Sequence, residues 1–155
     1  GRVCYREGYD EPLAHRIEGG ADLFLMPSRY EPCGLNQMYS LRYGTPPLVR
    51  ATGGLADTVE EFDPLTGRGT GFRFDNFETD EMLAALKRAA AIHRQENLWR
   101  QLQRNGMVRD FSWRASAAAY EDVYRAAIAG VRAKGPPTLE SVRAWMDFLP
   151  RSVGA

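Results

Sequence analysis

Ala21-Asp22-Leu23-Phe24-Leu25-Met26-Pro27-Ser28-Arg29-Tyr30-Glu31-Pro32-Cys33-Gly34-Leu35-Asn36-Gln37 is the stretch on which the rest of the chain turns. Residues 21–27 form a near-continuous apolar run, the pattern of a strand buried on both faces. A polar loop follows, and residues 35–43 read as a helix stopped by Gly44. Strand, short loop and helix in this order make half of a parallel βα unit.

The neighbouring segments repeat the pattern. Residues 3–6 are a short strand candidate, and residues 12–18 a helix with Pro12 in its first turn and Gly19-Gly20 at its end. Pro47-Leu48-Val49-Arg50 is a second strand, Gly53-Gly54 leads into a helix over 55–62, and residues 71–74 are a last strand. Beyond this point helices dominate, over 79–94, 97–109 and 113–131, with Thr79 and Ser112 as N-caps. Residues 63–70 form a turn-rich loop between the two regions. The fold class is therefore α/β, with a parallel sheet followed by C-terminal helices.

Composition narrows the function. The 155 residues hold 20 Lys+Arg against 20 Asp+Glu, with 44% apolar and 26% charged residues, as in an ordinary globular domain. That balance lacks the basic surplus of a nucleic-acid binder. No apolar run reaches membrane-spanning length, and no signal peptide opens the chain. Cys4 and Cys33 make neither a disulfide framework nor a zinc pattern. A reducing cytosol, hence a cytoplasmic protein, is the simplest expectation. The chain starts without Met and reads as a piece of something longer, with a site only partly present.

In a parallel sheet, the loop over 27–35 lies at the carboxyl end of its strand, where open α/β folds bind ligands. The amides of Cys33, Gly34, Leu35 and Asn36 would be first-turn donors that favour a phosphate. Glu31, an acceptor when ionised, suits a sugar hydroxyl beside that phosphate; it would equally stabilise the helix N-terminus. Thr52-Gly53-Gly54 repeats the strand-to-helix glycine turn on the same edge, as an ordinary turn or as part of a shared pocket. Tyr9 is open to packing or base stacking, and Cys33 to lining a pocket or acting as a nucleophile, with no His adjacent in sequence to activate it. His15 reads as a satisfied structural histidine, His93 as a surface residue, and Trp99, Trp113 and Trp145 as core packing.

Glu31-Pro32-Cys33-Gly34-Leu35, with Gln37, Tyr43-Gly44-Thr45, Pro47-Leu48-Val49-Arg50 and Thr52-Gly53-Gly54-Leu55-Ala56-Asp57-Thr58-Val59, resembles bacterial glycogen synthase and the related plant starch synthases. His15-Arg16-Ile17, Gly19-Gly20-Ala21-Asp22, Pro27-Ser28-Arg29 and Asp110-Phe111-Ser112-Trp113 extend the resemblance over about residues 8–124. It implies a partial Rossmann-like sheet, the C-terminal domain of a GT-B glycosyltransferase, over residues 1–131, followed by a tail over 132–155. In that tail Leu139, Val142, Met146 and Leu149 fall on one helical stripe, for packing on this domain or on a missing neighbour, or for a membrane surface.

The resemblance further implies transfer of glucose from ADP-glucose to the non-reducing end of an α-1,4-glucan with retention, without metal or cofactor. By the same resemblance Glu31 would hold a donor hydroxyl, with Cys33 and Gly34 against the sugar. Gly34, Leu35 and Asn36 would hold the diphosphate through their backbone, and Tyr9 would stack on adenine. Thr52, Gly53 and Gly54 would line the same pocket. The partner domain is the enzyme's own N-terminal domain. The Arg and Lys that clamp the diphosphate in the family lie upstream of this chain, so these residues alone should be inactive. Tyr120, Val123, Tyr124 and Ile128 would form a helix face covered only in the full enzyme. The alternatives are a non-catalytic nucleotide-sugar-binding or regulatory module, and a same-family synthase using UDP-glucose.

Overall fold

The computed structural model describes residues 3–134, with side chains through Val131. The tail stripe from Leu139 to Leu149 and Trp145 lie outside the described residues. The chain divides into two compact units, one ending at Arg109 and one starting at Asp110.

The first unit runs α1 (Glu11–Gly20), β1 (Phe24–Met26), α2 (Asn36–Tyr43), β2 (Pro47–Arg50), α3 (Gly54–Thr58), β3 (Phe72–Phe74), α4 (Thr79–His93) and α5 (Glu96–Met107). The three strands lie in the order β1-β2-β3, and both pairings are parallel. Phe24 stands beside Pro47, and Leu48 beside Phe72. The central strand β2 divides the core, because successive strand residues point to opposite faces. Leu48 packs with Phe62, Phe72, Trp99 and Leu102. Val49 packs with Leu55, Val59 and Met26 on the other side. Leu48, Val49, Leu55, Val59 and Leu102 are wholly buried, each contributing about 1.5–3 kcal/mol against exposure.

The expected parallel α/β architecture is present, with adjustments. Residues 3–6 are not a strand. β1 is half-buried rather than buried on both faces, and Leu25 is 40% exposed. The cause is its place at the edge of the sheet, where β2 is its one described neighbour. The helix expected over 55–62 stops at Thr58, and Val59 turns extended at φ −110° and ψ 122°. That turn lays residues 60–62 along Gly71, with the amide of Phe62 donating to the Gly71 carbonyl at 2.8 Å. Burial of Phe62 in the core outweighs one more helical turn.

Helix ends follow local chemistry. Asp10 caps α1 by accepting from the Leu13 amide at 3.0 Å, with Pro12 in the first turn, and the helix continues through both glycines. Thr79 is the first residue of α4 rather than its N-cap; Glu78 occupies that position without a side-chain bond. Glu81 reaches back instead and accepts from the amides of Asp75 and Asn76. Those bonds hold the Glu81 carboxyl below its ordinary range, the Asn76 side chain contributing most.

The second unit holds α6 (Trp113–Lys134). Ser112 caps it, its hydroxyl oxygen accepting from the Ala115 amide at 3.4 Å. Tyr120, Val123, Tyr124 and Ile128 are exposed along the helix. Trp99 is a core residue as expected, stacked on Phe72 at 6.3 Å between ring centroids. Trp113 is not, being 86% exposed.

Candidate donor-binding site

Parallel pairing of β1 with β2 puts the loops over 27–35 and 51–53 on one edge of the sheet. They are not merely neighbours. The amide of Gly54 donates to the Glu31 carbonyl at 3.2 Å. A Cβ at Gly53 would sit 2.0 Å from the Glu31 carbonyl oxygen, and one at Gly54 would sit 2.0 Å from that of Cys33. Only residues without a side chain permit this backbone-to-backbone approach. Gly53 in addition has φ +46°.

One side chain ties the loops from beneath. Gln37 in α2 is fully buried, and its Nε2 donates to the carbonyls of Cys33 at 3.1 Å and Gly34 at 3.0 Å. The same nitrogen donates to Thr58 Oγ1 at 3.1 Å, and that hydroxyl donates to the Gly54 carbonyl at 2.6 Å. The Cys33 thiol also leans on the Gly34 carbonyl, at 3.6 Å. Arg50, at the end of β2, braces the edge from the side. Its guanidinium donates to the carbonyls of Ser28, Arg29 and Asp75, and lies 5.8 Å from the Phe77 ring centroid.

Above this support lies the start of α2. Its N-cap, Leu35, makes no side-chain capping bond. The amides of Gly34, Leu35 and Asn36 donate to no acceptor among the described residues. Unsatisfied first-turn amides with the helix dipole behind them form an anion-binding surface. Cys33, Leu35 and Asn36 are exposed, Gly34 and Glu31 half-buried. No hydrogen bond or ion pair ties the Glu31 carboxylate to a described residue. One loop therefore carries an unengaged acceptor at Glu31 and unengaged donors three to five residues later. Thr52 is half-buried in the adjoining turn, its amide donating to the Arg50 carbonyl at 2.9 Å.

Tyr9 stands apart: it is 91% exposed among the described residues. Packing is therefore not its role within the described residues. His15 is the structural histidine expected, with its Nδ1 3.1 Å from the Tyr43 hydroxyl and its ring edge-on to Tyr39. His93 is exposed but engaged, 3.7 Å from Asp22 and edge-on to Trp99 at 4.7 Å. Cavities of about 480 and 430 Å³ lie elsewhere, one beside Leu23, Ala89 and Trp99 and one beside Arg68, Asn105 and Arg109. The two glycine loops line neither of these two. Among the described residues no group of three or more His, Cys, Asp or Glu is placed to hold a metal ion. No described helix is long and apolar enough to cross a membrane.

Glu31 and both glycine loops are visible in the sequence as candidates, whereas the contacts of Gln37, Thr58 and Arg50 are not. A Gln three residues after a loop glycine was a usable signal, since its amide reaches back over the first turn. Thr58 carried no such signal, because its partner Gln37 is 21 residues away.

Comparison with known proteins shows the family of the chain. Residues 8–106 match the family described as glycosyl transferases group 1. The chain is 63% identical over 124 residues to a glycogen synthase of Anaeromyxobacter sp. (strain K), covering 80% of this chain and 26% of that protein. It is 56% identical over 126 residues to a glycogen synthase of Koribacter versatilis (strain Ellin345), covering 81% of this chain and 26% of the relative. Among solved structures it resembles the catalytic domain of starch synthase IV from Arabidopsis thaliana bound to ADP and acarbose. That likeness has a TM-score of 0.69 and 40% identity, over 79% of this chain and 26% of the other. The chain thus spans about a quarter of the length of the relatives it matches.

Proposed function

The chain belongs to the glycosyl transferases group 1 family, and from that premise we propose that it is part of a glycogen synthase. In this reading the whole enzyme transfers glucose from ADP-glucose to the non-reducing end of an α-1,4-glucan, with retention. This chain supplies one wall of the donor site, and the enzyme's N-terminal domain supplies the facing wall. The observation that carries the reading is that one loop holds unengaged amides at Gly34, Leu35 and Asn36 and an unengaged carboxylate at Glu31. A nucleotide sugar offers the complementary pair, a diphosphate and a hexose. The glycogen synthases at 56–63% identity support the reaction. The ADP held by the starch synthase structure supports an adenine nucleotide as donor.

Each residue then has a task. The amides of Gly34, Leu35 and Asn36 hold the diphosphate, while Glu31 accepts from a glucose hydroxyl. Cys33 and Gly34 lie against the sugar, and Thr52, Gly53 and Gly54 close the pocket beside it. Tyr9 stacks on the base. In the transfer the bond from C1 of glucose to the phosphate oxygen breaks and a bond from C1 to the acceptor oxygen forms. The acceptor's proton passes to the departing phosphate. The protein's share is to stabilise negative charge growing on that leaving group, which preorganised N–H donors do without reorganising. No metal or cofactor takes part in this reading, and the enzyme works in the cytoplasm.

The test is Glu31→Ala in the full-length protein, assayed with ADP-glucose and glycogen. Transfer should be nearly abolished, a drop of roughly 100-fold or more, with the fold retained. Turnover at the unmodified rate would remove Glu31 from the site.

A further inference from the structure

We propose that Gln37 and Thr58 are positioning residues that aim the backbone amides of Gly34 and Leu35 at the donor's diphosphate. The inference rests on the donor-site reading above and adds to it the device that orients the site.

In a trans peptide the carbonyl oxygen and the amide proton of the next residue point in opposite directions, and the chain holds no cis bond among its described residues. Gln37 Nε2 draws the carbonyls of Cys33 and Gly34 inward, to 3.1 and 3.0 Å. The N–H groups of Gly34 and Leu35, on the opposite ends of those two peptides, are therefore turned away from Gln37. Neither donates to a described acceptor. One buried amide thus points two successive donors outward and keeps two carbonyl dipoles away from an incoming anion.

Thr58 decides which way the amide of Gln37 stands. Its oxygen lies 2.6 Å from the Gly54 carbonyl, which only accepts, so the hydroxyl proton is spent there. The lone pairs of Thr58 then face Gln37, and three acceptors surround one end of the side-chain amide. Nitrogen must occupy that end, since oxygen there would face three oxygens. Oε1 takes the other end, buried and without a partner. That end lies over Gly34, where a Cβ would come within 2.5 Å of Oε1. A buried acceptor left unpaired is costly. The arrangement persists because the opposite orientation would set oxygen against two carbonyls.

The experiment uses the full-length enzyme with Gln37→Met, Thr58→Val and Thr58→Ser. Calorimetry reads the affinity for ADP, and initial rates read KM for ADP-glucose and for glycogen separately. Gln37→Met keeps the bulk and removes both donors. It should weaken ADP and raise the donor KM in parallel, each roughly tenfold, with the glycogen KM unchanged. Thr58→Val should shift both in the same direction by about threefold, and Thr58→Ser should restore them. A folded Gln37→Met enzyme with unaltered ADP affinity would overturn the proposal. If Gln37→Met fails to fold, the Val and Ser pair decides: an unaltered Thr58→Val enzyme counts against the proposal, and a shift that Ser reverses counts for it. Wild-type enzyme that binds ADP but transfers no glucose would sink the functional reading while leaving this device measurable by calorimetry.

Discussion

The backbone N–H of Gly54 donates to the carbonyl oxygen of Glu31 across 3.2 Å, joining the turn after β2 to the loop after β1. Two loops that sequence presents as separate glycine turns are bonded to each other through their backbones. Their contact is backbone on backbone, so it leaves no room for adjustment by a side chain.

Gly54→Ala should therefore disrupt both loops at once. The added carbon would fall 2.0 Å from the Cys33 carbonyl oxygen, and neither partner is a flexible side chain that can swing away. Expected outcomes are a loss of roughly 2 kcal/mol or more in urea unfolding and a parallel fall in kcat/KM. Gly20→Ala is the control: a Cβ there meets nothing within 4 Å, and stability should change by less than about 0.5 kcal/mol.

Tyr9 separates a binding role from a structural one. At 91% exposure it contributes nothing to the described packing, so Tyr9→Ala should leave the thermal midpoint alone. If the ring stacks on the donor base, the same variant should raise the donor KM roughly tenfold, and Tyr9→Phe should behave as the parent. Steady-state kinetics of the three enzymes is sufficient. An unchanged donor KM in Tyr9→Ala would take Tyr9 out of the site.

Glu18 makes stability depend on pH in an uncommon direction. It is 5% exposed with Oε2 unpartnered, and burial pushes its carboxyl above the ordinary 4.5, partly opposed by the His15 charge. The folded state thus holds this proton more tightly than the unfolded chain. Its contribution is complete below the unfolded value and is lost as pH rises through the folded one. Glu18→Gln imitates the protonated form. It should melt a few degrees above the parent at pH 7, and the gap should close as pH falls toward 4.5. Thermal melts between pH 5 and 8 check this; a gap that widens on acidification would contradict it.

The alternation of apolar runs and helical stretches made the parallel sheet legible, and β2 came out with the bounds its sequence suggests. Such runs report burial and period, which are local properties. The same logic overestimated β1, because an apolar run does not say how many neighbours a strand has. It overestimated α3 as well, because the pull on Phe62 comes from residues of β3, α4 and α5. At the site, Glu31 and the glycines were visible as a polar and flexible interruption between a strand and a helix.

Sequence alone determined the ingredients: parallel βα units, glycines where a backbone must come close, and an acid beside a helix start. These follow from side-chain volume, period and charge, which each residue carries wherever it stands. Only the tertiary structure decided that Gly54 bonds to Glu31, that Gln37 reaches Thr58, and that Arg50 spans the loops after β1 and β3. Those contacts join residues about 20 or more positions apart. They exist because strand pairing stacks the loop ends on one edge, and no local preference of the chain encodes that proximity.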